Sequence, residues 1–234
     1  YRDDRNLHFA IQDIFTEFNS TPRIFVAEFD FKKFFDSINH EYLFLQLKSN
    51  GFNVSEIELS TIKSFIHNEE GKGIPLGTSI SLFLANVVCW KLDRELENLG
   101  IRFARYADDT IIWTKNYDKI SKAFDIIYEF SELSGIEINF DKSDGISLLK
   151  RKDMSTEFMN HKDYIEFLGY RISTDKISIK GSSVQKIKSQ ISYLLYKNLI
   201  QPLNDSPIHG SNIPNGGRDK NFLSAIMDIR RYLY

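Results

Sequence analysis

Residues 101–115, IRFARYADDTIIWTK, decide the fold. The runs IRFARY and TIIWTK, rich in β-branched and aromatic residues, flank Ala107-Asp108-Asp109, which predicts strand, tight turn, strand with an acidic tip. Upstream, residues 79–99 place Ile80, Phe83, Leu84, Val87, Val88 and Leu92 at helical spacing, and Gly100 supplies the stop. Downstream, residues 118–134 repeat the pattern with Ile120, Phe124, Ile127 and either Phe130 or Leu133 facing inward, ended by Gly135.

Farther out, PRIFVAEFD (22–30) reads as a buried strand ending at Asp30, followed by a tight turn through FKKFFDSI. Asn39 caps a helix over 40–47 that Gly51 closes. A second helix spans 54–67, with Ser55 as its cap and Ile57, Leu59, Ile62, Phe65 and Ile66 as its apolar positions. Gly71, Gly73 and Gly77 around Pro75 mark a loop. Strict alternation predicts a strand at Ile136–Phe140, a hairpin is expected from 165–173 and 177–180, and a helix from 184–199. Pro and Gly fill 202–219, a loop expected to be disordered, and a last helix starts near Asp219. Strands and helices in this order predict an α+β fold, a sheet backed by helices on one face.

The 234 residues are enough for one large or two small domains, and the 42% hydrophobic content suits a soluble globular chain. No apolar run is long enough to span a membrane, and the charged start YRDDRNLHFA is unlike a secretory signal, so a cytoplasmic protein is expected. The start at Tyr1 without Met, and the end at Tyr234 inside an apolar-periodic segment, read as a piece of something longer. Cys89, the single cysteine, excludes an intrachain disulfide and a thiolate zinc cluster. The net charge of −2 argues against a uniformly basic nucleic-acid binder, but it divides into −6 over residues 1–180 and +4 over 181–234.

If the 101–115 hairpin pairs beside the 22–30 strand, Asp30, Asp108 and Asp109 meet at one sheet edge. Three such acids need cations, and an all-oxygen donor set points to Mg²⁺ completed by phosphate and water. Two such ions serve phosphoryl transfer. Asp-Asp alone is also an ordinary turn pair.

Five segments, in order, resemble motifs A to E of reverse transcriptases: Phe29–Ile38, Gly73–Asn86, Arg105–Asp109, Gly135–Lys142 and Phe167–Tyr170. The likeness covers roughly residues 22–180 and is nearest to the prokaryotic group of group II intron, retron and phage-defence enzymes. It implies a right-hand polymerase palm, a ferredoxin-like antiparallel sheet backed by helices. Residues 1–21 would be partial fingers, 22–180 the palm with a fingers insertion at about 42–75, and 181–234 the start of a helical thumb.

By the same resemblance Asp30 and Asp108 ligate two Mg²⁺, with Mn²⁺ as a substitute, Asp109 supports them, and the Phe31 carbonyl is a further ligand. Lys33 and Phe34 offer backbone N–H groups to a triphosphate, and Phe35 stacks under the sugar and excludes a 2′-hydroxyl, which selects dNTPs. FKKFF is apolar enough that one of Phe34 and Phe35 also belongs in the core. Lys142 matches a general acid for the departing pyrophosphate and reads equally as a solvated lysine, while Phe167-Leu168-Gly169 matches the primer grip.

Leu76 and Gly77 sit at the nucleotide, but Leu76 stands where the family usually has Gln, and Leu82 follows Ser81 where it has Pro. These departures point to the phage-defence branch, with a retron or intron enzyme, or a template-independent or protein-primed DNA polymerase, as alternatives. The implied partners are an RNA template with its DNA product, dNTPs, and a structural noncoding RNA or partner protein. Lys186 and Lys188 would track the duplex backbone; Arg2 and Arg5 are weak triphosphate candidates. A catalytically silent nucleic-acid-binding scaffold, an RNA-dependent RNA polymerase and a two-metal nuclease or cyclase are the rival classes. Retention of all three acids, Phe35 at the gate, and the 73–86 and 167–170 motifs argue against each in turn.

Overall fold

The computed structural model describes residues 7–68, 70–201 and 220–233. The loop expected at 202–219 lies outside the described residues. Residues 1–178 and 179–234 form two compact units.

In the first unit, a five-stranded sheet has the order β2-β3-β1-β4-β5: β1 is Arg23–Phe29, β2 Arg102–Tyr106, β3 Asp109–Thr114, β4 Ser147–Lys150 and β5 His161–Lys162. β1 is antiparallel to β3, with Phe29 opposite Thr110, and to β4, with Val26 opposite Ser147. A smaller sheet joins β6 (Ile165–Phe167), β7 (Tyr170–Ile172) and β8 (Ile177–Ile179).

The helices are α1 (Leu7–Asn19), a single turn α2 (Phe34–Ser37), α3 (His40–Ser49), α4 (Glu56–Ile66), α5 (Ser79–Leu99) and α6 (Tyr117–Ser134). Their ends follow local chemistry. The Asn39 side chain accepts from Tyr42 N–H, Ser55 and Glu58 form a reciprocal capping box, and Gly100 and Gly135 end α5 and α6 in the left-handed conformation.

Alternation along β1 and β3 divides the core. Ala27, Phe29 and Ile112 pack against α3, α4, α5 and α6, a layer that includes the buried Cys89. Ile24, Val26, Ile111 and Trp113 pack on the other face against Ile11, Ile14 and Phe18 of α1 and Ile165, Phe167 and Ile172 of the β6–β7 hairpin. Helices therefore do not back one face alone, because a sheet with apolar residues on both faces must cover both.

Three further expectations are corrected and one open choice is decided. Ile136 and Ile138 are buried as alternation requires, but 136–140 forms no strand; it makes one antiparallel bridge, Ile138 to Phe31, because the partner segment beyond β1 is only Asp30–Lys32 before the chain turns at Lys33. The 165–173 stretch is two strands, since Leu168 and Gly169 both take positive φ and turn the chain. Ile57 and Phe83, expected inward, are exposed, and the Phe83 ring instead meets Phe52 edge-on. Between Phe130 and Leu133, Phe130 is the buried one.

The second unit has α7 (Gly181–Leu195), a π-helical turn over Tyr196–Ile200 where α-helix was expected to continue to 199, and α8 (Lys220–Leu233). Among its described residues Leu194 and Ala225 are the buried apolar ones, and Asn198 donates to Leu194 O and to Asp228. Among the described residues no helix is long and apolar enough to cross a membrane.

Ile111 and Ile112 are each fully buried but face opposite layers. Ile111→Ala and Ile112→Ala are both expected to lower stability in urea denaturation by about 2–5 kcal/mol. Ile57→Ala, at a site 80% exposed, should change it by less than about 0.5 kcal/mol.

Candidate active site

Asp30 follows the last residue of β1, where pairing with β3 has just ended, so its carboxylate leaves the ladder at the sheet's end. The β2–β3 hairpin closes with Tyr106 opposite Asp109, which leaves Ala107 and Asp108 as a two-residue loop. Ala107 holds φ +55°, a position glycine ordinarily takes in such loops. This brings Asp30 and Asp108 to one cavity of about 230 Å³, which Phe31, the Lys32–Asp36 turn, Leu76, Asn139 and Lys142 complete. Asp109 is half-buried in β3, and Gly77 is exposed at φ +87°.

Hydrogen bonds hold Asp30 from several sides. Its Oδ1 accepts from Asn139 Nδ2 at 2.9 Å, its Oδ2 pairs with Lys142 Nζ at 3.1 Å, its N–H donates to Ser143 Oγ, and its carbonyl accepts from Asn139 N–H. The Lys142 side chain is 66% exposed and that of Asp30 16%, so this pair contributes little to stability but places a cation on the carboxylate. The Lys142 ammonium is held above its ordinary pKa by the hydrogen bond to Asp30 first, then by the charge of Asp30, with Asp109 and Asp108 adding.

Lys142 thus feels all three acids and offsets part of their charge. Among the described residues, no three His, Cys, Asp or Glu side chains form a ready-made metal cluster. Asp30 and Asp108 still fit a hard divalent ion, which needs only one or two carboxylates beside phosphate and water, and Lys142 already occupies a cation position on Asp30.

Phe34 is the core residue of the FKKFF pair, 2% exposed; Phe35 is half-buried and lines the cavity with Leu76. Lys33, φ +45°, turns the chain into α2. Among the described residues only Lys33, Ala107 and Leu168 are non-glycine positions with positive φ, each costing about 1–2 kcal/mol. All three fall in segments singled out from the sequence, and backbone strain of this kind gathers at functional sites.

The Phe167-Leu168-Gly169 turn lies outside this cavity: Phe167 is buried against α1 and the sheet, and Leu168 packs at its margin. Lys186 and Lys188 are exposed on α7. Arg2 and Arg5 lie outside the described residues.

Sequence reasoning missed several supporting residues. Asn139, inside the Gly135–Lys142 segment, orients Asp30. Arg105, the first residue of the Arg105–Asp109 segment, anchors the acidic hairpin to α5: Nε and Nη2 bind Asp93 at 2.9 and 2.6 Å, Nη2 reaches Asn86, and Nη1 donates to the Ala107 carbonyl. The twelve-residue spacing of Asp93 and Arg105 carries no local signal, since α5 must first fold back on β2.

A larger cavity, about 450 Å³, is lined by Glu28, Asp144, His161, Lys162, Asp163, Tyr164 and Glu166. Its lysine is already paired with Glu28 and Asp144, and burial raises the Glu28 carboxyl against the pull of Lys162. The smaller cavity is the candidate site because there two strand ends deliver acids beside a cation and the Lys32–Asp36 turn.

A reverse transcriptase (RNA-dependent DNA polymerase) family profile matches residues 2–172. The chain is 25% identical over 187 residues to the retron Ec86 reverse transcriptase of Escherichia coli, covering 75% of this chain and 52% of that enzyme. It is also 25% identical over 252 aligned positions to the group II intron-encoded protein LtrA of Lactococcus lactis, covering 99% of this chain and 39% of that protein. Telomerase from Candida tropicalis superposes with a TM-score of 0.59 at 17% identity, over 80% of this chain and 39% of that one, which shows a shared fold. The chain belongs to the reverse transcriptase family. It spans about half the length of the retron enzyme and less of the intron protein.

Asp93→Ala would leave the Arg105 guanidinium, whose side chain is 8% exposed, without its main partner. Equilibrium unfolding should register a loss of about 3 kcal/mol.

Proposed function

We propose that the full-length protein is an RNA-directed DNA polymerase that transfers dNTPs to a primer 3′ end. The observation that carries this reading is the delivery of Asp30 and Asp108 from neighbouring strands into one cavity with the Lys33–Phe35 turn and Lys142. Asp30 and Asp108 would hold the divalent ions, with Asp109 supporting the pair and the Phe31 carbonyl as a further ligand. Two Mg²⁺, or Mn²⁺ in their place, would supply activation of the primer hydroxyl and neutralisation of the leaving pyrophosphate.

This chain's own residues perform the rest. Lys33 and Phe34 present backbone N–H groups to the triphosphate at a turn whose donors converge. Phe35 packs against the sugar, and its bulk leaves no room for a 2′-hydroxyl. Leu76 bounds the base apolarly, without the hydrogen bond that Gln would supply, and Gly77 beside it, at φ +87°, lets the loop turn toward α5. Lys142 carries a proton that its acidic neighbours retain and donates it to the pyrophosphate.

The turn Phe167-Leu168-Gly169 would grip the primer, and the exposed Lys186 and Lys188 would contact duplex phosphates, a sequence-independent and salt-dependent task. On this reading residues 22–180 are the palm, with a fingers insertion at about 42–75, and 181–234 begin the thumb; the break between units at Ser178 and Ile179 supports the latter boundary. The template would be RNA, with a structural noncoding RNA or a protein as accessory partner, in the cytoplasm. The phage-defence setting rests on Leu76 and Leu82 alone.

Primer extension on defined RNA and DNA templates tests the reading. Asp108→Ala should reduce incorporation by more than about 10³-fold with the fold intact by circular dichroism, as loss of several kcal/mol of charge stabilisation requires. Unchanged extension would reject the assignment. Phe35→Ala should keep dNTP incorporation and relax discrimination against rNTPs by about 10- to 200-fold, the scale of one lost steric contact.

A further inference from the structure

Two of the cavity's apolar lining residues, Phe35 and Leu76, belong to segments that meet through a backbone zipper. Ile74 N–H donates to the Phe35 carbonyl at 2.8 Å, Gly73 N–H to Ile38 O at 2.7 Å, and His40 N–H to Gly71 O at 3.1 Å. Asn39 and Lys72 form a further bridge. Asn68 shapes the strap from its other end, accepting from Gly71 N–H and donating to Lys72 O.

A single side chain spans the two segments at this point: His40 Nε2 lies 2.7 Å from the Gly73 carbonyl, close enough for a strong N–H···O bond. The ring is part-buried at the first turn of α3, whose Asn39 cap fixes its backbone. Gly73 itself is held at φ +87°, and a Cβ there would lie 3.0 Å from the Asp36 carbonyl, so the strap passes close over the turn that carries Phe35 and has no room for a side chain. Leu76 follows Ile74 by two residues, and beyond it Ser81 Oγ donates to the Pro75 carbonyl, tying the loop to α5.

We infer that His40 is a positioning residue for nucleotide selection: its ring clamps the Gly71–Ile74 strap to the Phe35–Ile38 turn and so sets the gap between Phe35 and Leu76. The inference rests on the nucleotide-cavity reading above. His40 touches neither the cavity nor a reacting group; it acts through Gly73. Loss of the clamp therefore weakens nucleotide binding and sugar discrimination, and leaves the acids on β1 and the β2–β3 hairpin in place.

Four full-length proteins test it: wild type, His40→Ala, His40→Gln, whose amide can donate to the same carbonyl, and Gly73→Ala, which pushes the strap off Asp36. Hydrogen exchange is read at the Gly73 and Ile74 amides and along β1, and steady-state incorporation gives KM, kcat and the dNTP-to-rNTP ratio. For His40→Ala the expected result is exchange about tenfold faster at Gly73 and Ile74 but unchanged in β1. KM for dNTP should rise about tenfold with kcat within about threefold, and discrimination should weaken. His40→Gln restores all of these, and Gly73→Ala reproduces His40→Ala.

Wild-type exchange at Gly73 and Ile74 in His40→Ala overturns the clamp. Faster exchange with an unchanged KM and ratio overturns its role in selection, as does a fall in kcat alone. A wild-type protein that incorporates no nucleotide overturns the functional reading and the role given to the cavity, while the exchange rates still decide the clamp.

Discussion

Every part of the site hangs on β1, which is paired along both edges, by β3 and β4, and buried on both faces. A strand so enclosed has no freedom to slide, because a shift of one residue would exchange Ile24 and Val26 with Phe25 and Ala27 between two different cores. Asp30 is the first residue past that enclosure. Its position is therefore set by the packing of the five apolar residues of β1 before it, and the polar contacts from Asn139, Ser143 and Lys142 only orient the carboxylate.

The acidic hairpin obeys a different logic. β2 is an edge strand, and the loop at Ala107 and Asp108 would be free to move if pairing with β3 were its only restraint. Arg105 removes that freedom by binding Asp93 on α5 while donating to the Ala107 carbonyl, so the helix and the loop share one guanidinium. The strain at Ala107 is sustained by this anchor and by the ladder on either side. Electrostatics then bind the acids to each other through Lys142, a solvent-facing cation that moderates their mutual repulsion.

Local features of this architecture could be read from the chain, and distant ones could not. Asn39, Ser55, Gly100 and Gly135 end or begin helices through bonds within four residues, so their positions in the sequence suffice. The strand at Ser147–Lys150 gives no such signal: SLLK is short, and its pairing with β1 and β5, distant in sequence, makes it a strand. Alternation identified Ile136 and Ile138 as buried but not their hydrogen bonding, since burial depends on which side chains point inward and a ladder depends on what lies alongside. At the site, Asp30, Asp108, Lys33, Phe35, Leu76 and Lys142 were legible because they lie in contiguous motifs. Asn139, Arg105 and His40 act across the fold on backbone or carboxylate groups that no spacing rule connects.

The environment of Cys89 has a practical consequence. It is the chain's one cysteine, it has no solvent exposure, and burial pushes its thiol up to about 12. A thiol that is neither accessible nor ionised is inert to maleimides and similar reagents at neutral pH. The native chain is thus already a blank background for thiol chemistry: one cysteine added at an exposed position such as Ile57 would be the sole reactive handle for a fluorophore or spin label, with no core residue to replace first.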